Sequence, residues 1–150
     1  MSTEDAMGER TERAVLNHLI ETCRDAERGL LVAADQVKSS ELKRLFLGLA
    51  EQRHAFANDL LPHAQRLGGA SVSDGTAAAA LHRVWIQVKA RLASDVDQAI
   101  LEEAARGERY AMHAYDDAVA EMIPPDVRDL VEGQDLGVRV ARRMVSGLMN

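Results

Sequence analysis

Aromatic residues are nearly missing from this sequence, at 3% of 150 positions. In a chain rich in Ala, Leu, Glu, Arg and Asp, that scarcity of strand formers all but excludes an all-β fold. Proline and glycine are few, at 3 and 10. The lone cysteine, Cys23, cannot close an intramolecular disulfide, and it lies on an apolar stripe, which makes it a core residue of a reducing compartment. No apolar run approaches the ~18 residues of a membrane span. The acidic start, Met1-Ser-Thr-Glu-Asp-Ala, lacks the apolar stretch of a signal peptide. The expected location is cytoplasmic, with no membrane partner. Positive charge is also in deficit: 18 basic against 24 acidic side chains leave a net charge of -6. A nucleic-acid binder normally shows a basic face. The nearest equivalent, Arg139, Arg142 and Arg143, is expected where the last helix ends, as a complement to its dipole.

What is present is helical periodicity. Apolar residues make up 47% of the chain, enough for one domain with a real core. Residues 1–10 are polar and expected to fray, leaving 11–150 as the folded domain. A first helix is predicted from Thr11 to Val37, with the stripe Leu16, Ile20, Cys23, Glu27, Leu30, Ala34, Val37. Ser40 is the expected cap of a second helix, Glu41 to Leu67, which contains Pro62 and stops at Gly68-Gly69. A shorter helix is predicted from Thr76 to Ala93, anchored by Trp85. A third long helix opens at Ser94-Asp95, reaches Met122, and carries Leu101, Ala104, Glu108, Ala111, Tyr115, Ala118 and Met122. Pro125 suits the first turn of a fourth, which runs to Leu148. Two hairpins joined by a helical crossover make an all-α, ferritin-like four-helix bundle.

Two carboxylates interrupt the apolar stripes, Glu27 and Glu108. A buried carboxylate needs a metal, a cation or a proton; at a stripe's edge it would snorkel to water instead. Gly29 and Gly107, close beside them, leave room for a second backbone or an ion. The second helix adds Glu51 and His54, the Glu-x-x-His spacing of di-iron bundles. Glu27, Glu108, Glu51 and His54 are therefore the candidate ligands for iron or another divalent metal. Helical phase favours a different layer. The stripe of the second helix (Leu42, Leu45, Phe46, Leu49, Phe56, Leu60, Leu67) is centred on Gln52 and Arg53. That of the fourth (Val127, Leu130, Val131, Val138, Ala141, Val145, Leu148) is centred on Gln134. Glu27, Arg53, Glu108 and Gln134 would then form a polar core network that needs no metal. The fourth helix has Asp135 where a second Glu-x-x-His would place histidine.

The remaining candidates are weaker. His18 and His113 fall off their stripes, and His63 and His82 have no ligand-type neighbour at useful spacing. Tyr115 stacks two turns beyond Glu108, and Tyr110 bears the same relation to Glu103. No nucleophilic triad or phosphate loop is visible, so no substrate is indicated.

The segments Leu16–Glu21, Asp25–Gly29, Glu41–Lys43, Leu49–Arg53 with Phe56, Leu67–Gly69, Ala80–Trp85, Glu102-Glu103 with Gly107-Glu108, Ala114-Tyr115, Pro125–Arg128 and Glu132–Gln134 resemble an uncharacterised family of bacterial ferritin-like four-helix bundles. The likeness spans about residues 12–148. It implies a ferritin-like fold, a relation to di-iron carboxylate proteins and a role in stress, with no settled activity. Bundles of this kind pair along helix faces, so a homodimer is expected, with the Ala77–Ala80 surface in its interface.

Overall fold

A computed structural model describes residues 2–69 and 94–149. Four helices account for most of them: α1 (Thr3–Gln36), α2 (Ser40–Arg66), α3 (Val96–Ala120) and α4 (Pro125–Gly147). The class is all-α, consistent with a four-helix bundle. The short helix predicted for Thr76–Ala93, with His82, Trp85 and the Ala77–Ala80 surface, lies outside the described residues.

Local chemistry sets the helix ends. α1 starts eight residues before the predicted Thr11, because Ser2 and Asp5 form a reciprocal capping box. Its first turns are mostly exposed. Ser39, rather than Ser40, caps α2 by accepting from Leu42 N–H at 3.2 Å. Asp95 caps α3 through Gln98 N–H at 3.0 Å, and Pro125 opens α4 as expected. Gly68 ends α2 in the left-handed region, with φ +75°. Arg128 of α4 reaches back to close α3, donating to Val119 C=O at 2.7 Å and Glu121 C=O at 2.6 Å. That capture satisfies carbonyls that a helix end leaves free.

Asp97, in the first turn of α3, accepts from Lys38 N–H at 2.7 Å and Ser39 N–H at 3.0 Å. The end of α1 and the starts of α2 and α3 therefore lie together, so α2 and α3 run in the same direction and α1 and α4 oppose them. At one level on the α2–α4 seam the side chain is absent altogether. A Cβ on Gly137 would stand 2.9 Å from Phe56 Cζ and 3.1 Å from Gln52 Nε2.

The core has two apolar bodies. One is built around Leu16, Leu19, Ile20, Leu60, Tyr115, Val127 and Val131. The other is built around Leu30, Phe46, Leu49, Ile100, Leu101 and Val145. Along α2 the change from one to the other falls between Ala50 and Ala57, and along α3 between Ala105 and Ala111. Arg53 and Glu108 occupy those two gaps. Stripe positions at the extremities depart from expectation: Met122 is 89% exposed because α3 has already ended, and Leu148 lies beyond α4.

Candidate functional site

Arg53 and Glu108 are buried to 1% and 2% exposure and meet with Nη2 2.5 Å from Oε2. Arg53 Nε also donates to Gln52 Oε1 at 3.4 Å, while Nη1 is buried without a partner. Burial pushes the Glu108 carboxyl above its ordinary range, and the Arg53 guanidinium opposes that rise. The pair is a desolvated charge couple sealed between the two apolar bodies. In such a setting the geometry must be good for the attraction to offset the lost hydration.

One turn away a neutral chain crosses the bundle. Tyr115 O–H donates to Gln134 Oε1 at 2.7 Å, and Gln134 Nε2 donates to Phe56 C=O at 3.2 Å. Cys23 Sγ lies 3.1 Å from the Tyr115 hydroxyl. Desolvation pushes the Cys23 thiol up to about 11 and drives the Tyr115 phenol upward as well. Both are protonated at neutral pH, and neither is exposed as a nucleophile. Together these groups tie α1, α2, α3 and α4 at one level. Tyr115, fully buried, serves an amide and a thiol.

Three of the four residues assigned by phase to a polar layer are therefore buried: Arg53, Glu108 and Gln134. Glu27 is not among them. Its side chain is 24% exposed and faces His54 across the α1–α2 seam, with His54 Nδ1 3.1 Å from Oε1. Asn58 occupies the other ring nitrogen of His54 at 3.1 Å. The reason is position: Glu27 lies at the rim of its stripe, where a polar partner on the next helix and water both reach it.

The candidate ligands thus divide. Glu27 and His54 come together at the surface, Glu108 lies inside against Arg53, and Glu51 is exposed apart from both. Among the described residues no three His, Cys, Asp or Glu side chains are grouped to hold a metal ion. The donor set does not fit a di-metal centre, and the one interior carboxylate of the set already carries a cation. Gly29 and Gly107 have open space where a Cβ would stand, so no second backbone closes on them.

Two further carboxylates are buried. Glu12 pairs with Arg66 at 3.5 Å, and Glu103 pairs with Arg106. Glu103 lies on a flank of α3 that Ile100 and Ala114 also bury, so this helix buries a wider arc than its central stripe. Tyr110, placed two turns from it, is 61% exposed. His18 and His113 are exposed, as their phase indicated. The arginines of α4 do not cap its dipole, because the helix continues to Gly147 and its last turn has no basic residue. Arg139 instead joins Asp116 of α3 and, at 3.2 Å, Asp135. No helix among the described residues is long and apolar enough to cross a membrane.

A family model described as a domain of unknown function (DUF2383) matches residues 11–121. The match takes in most of α1 and all of α2 and α3, including Arg53 and Glu108, and ends before α4. No curated protein matches the chain.

Proposed function

We propose that this chain, which belongs to the DUF2383 family, is a metal-independent bundle of ferritin-like descent that works by association rather than by catalysis. The observation that carries the reading is the Arg53 guanidinium 2.5 Å from Glu108, both fully buried. A di-metal bundle uses its interior carboxylates to bind cations. Here the fixed positive charge of an arginine balances the carboxylate, and arginine cannot be deprotonated to release it. The buried Tyr115, Gln134 and Cys23 add order to the core without exposing a reacting group.

The competing reading, a metal-handling protein, has its support among the described residues in Glu27 and His54, a solvent-accessible pair 3.1 Å apart. Two donors give a weak site. Thermal unfolding in the presence of Fe(II), Mn(II) or Zn(II) separates the two. A ligand at about 100 times its dissociation constant stabilises the native state by roughly 2.7 kcal/mol. The association reading expects no saturable rise in Tm with any of the three. A saturable rise, lost in Glu27→Ala and His54→Ala, would replace it with the metal-handling reading.

A further inference from the structure

The outer face of α4 carries a pattern that the bundle does not use. Val127, Val131, Gln134, Val138, Ala141 and Val145 fill the buried side of this helix. On successive turns of the other side stand Leu136, Val140 and Met144, which are 66%, 47% and 48% exposed. Gly133, one turn before Leu136, has open space above its Cα and lets another surface come close. Single exposed apolar residues are ordinary, whereas a row at i, i+4 and i+8 is a helix face prepared for contact.

The charges beside this row identify the partner. Asp129, Leu136 and Arg143 follow one another at seven-residue intervals, so they share a face of the helix. Asp129 and Arg143 are both exposed, and neither forms an ion pair with another described residue. Acid and base stand at equal distances on either side of a leucine. That arrangement is self-complementary under a two-fold rotation through Leu136, which sets leucine on leucine and acid on base at both ends. Glu132, four residues before Leu136, and Arg139, three after it, are already paired within the chain, Glu132 with Arg128 and Arg139 with Asp116 and Asp135. That leaves Asp129 and Arg143 as the charges that flank the leucine. A parallel, in-register pairing would instead oppose Asp129 to itself and Arg143 to itself.

We propose that α4 is the isologous interface of a homodimer, packed antiparallel about a two-fold axis at Leu136. This deepens the association reading and rests on it. At about 1.5 Å per residue α4 is only ~35 Å long. One helix face buries less than the roughly 800 Å² per partner of a standard interface. The dimer is accordingly of micromolar strength and weakens with added salt.

Sedimentation equilibrium of the full chain tests this with four variants: Leu136→Asp, Asp129→Arg, Arg143→Asp and the double reversal of Asp129 and Arg143. Circular dichroism of each confirms that the helices and Tm are retained; the substituted side chains are exposed. The parent should dimerise at tens of micromolar, and Leu136→Asp should be monomeric. Each single reversal should weaken the dimer by about tenfold, and the double reversal should return it to within about threefold of the parent. If Leu136→Asp fails to fold, the charge series alone decides. A dimer that survives Leu136→Asp, or reversals that do not compensate each other, would overturn the α4 interface and leave the association reading standing. A parent that stays monomeric at about 100 µM would overturn both.

Discussion

Replacing Arg53 with alanine removes the cation that, among the described residues, pairs with the buried Glu108 carboxylate. Breaking a buried pair from one side typically costs about 3–5 kcal/mol, because the other charge stays desolvated and unbalanced. For a domain of this size each kcal/mol lowers Tm by roughly 2–4 °C, so the variant should melt about 6–20 °C below the parent. The pH dependence identifies the cause. Burial already lifts the Glu108 carboxyl above its ordinary value, against the pull of Arg53. Without Arg53 it must rise further. A carboxyl whose folded pKa exceeds its unfolded one binds more protons in the native state, so this group's contribution to stability improves as pH falls. The penalty is thus fully present above the raised folded pKa. It is relieved as pH drops through that value toward the ordinary 4.5. Urea denaturation of parent and variant at pH 7 and pH 5 gives the difference directly, and the other carboxylates cancel between the two proteins. Removing both charges, as Arg53→Met with Glu108→Leu, should recover most of the loss, since an apolar pair of similar volume is often neutral or better. A loss below about 1 kcal/mol that does not change with pH would refute the claim that the pair is desolvated and mutually required.

Three further outcomes follow from the same geometry. Tyr115→Phe removes the donor to Gln134 Oε1 and should cost about 1–3 kcal/mol in urea denaturation; an unchanged midpoint would mean that Gln134 finds another donor. Cys23, buried and with its thiol pushed up to about 11, should react with a thiol reagent at pH 7–8 only at the rate of unfolding, and fast labelling of native protein would contradict its burial. Glycine substitutions should differ in sign: Gly29→Ala, with open space above it, should stabilise by about 0.5–1 kcal/mol, while Gly137→Ala, 2.9 Å from Phe56, should destabilise by about 1–3 kcal/mol.

Phase carried more of the core than motif did. The repeat of apolar residues placed Arg53, Glu108 and Gln134 at the centres of three separate stripes, and all three are buried. Matching the Glu-x-x-His spacing instead selected Glu51 and His54, which that same phase had put off-centre and which are exposed. Glu27 fell between the two methods. It lies on a stripe in sequence, yet the rim of a stripe is buried or open according to how the next helix sits. Sequence does not give the rotation of α2 about α1. Helix starts were missed for a simpler reason: the predicted Thr11 ignored the Ser2–Asp5 box, a signal present in the residues themselves. Glu103 had no such signal, because it is buried on a flank of α3 rather than on the central stripe. Glu12 had one, standing at i, i+4 and i+8 with Leu16 and Ile20 on the same face of α1. Gly137 could be seen as a glycine, but only the approach of Phe56 explains it.

The central claim is that the cation balancing the interior carboxylate is an arginine side chain and not a metal. Elemental analysis of the protein purified without chelators, after gel filtration, tests that claim most directly. The account predicts iron, manganese and zinc each far below one equivalent per chain, with the same result in Glu108→Ala. A stoichiometric metal retained through the column, and lost in Glu108→Ala, would contradict it.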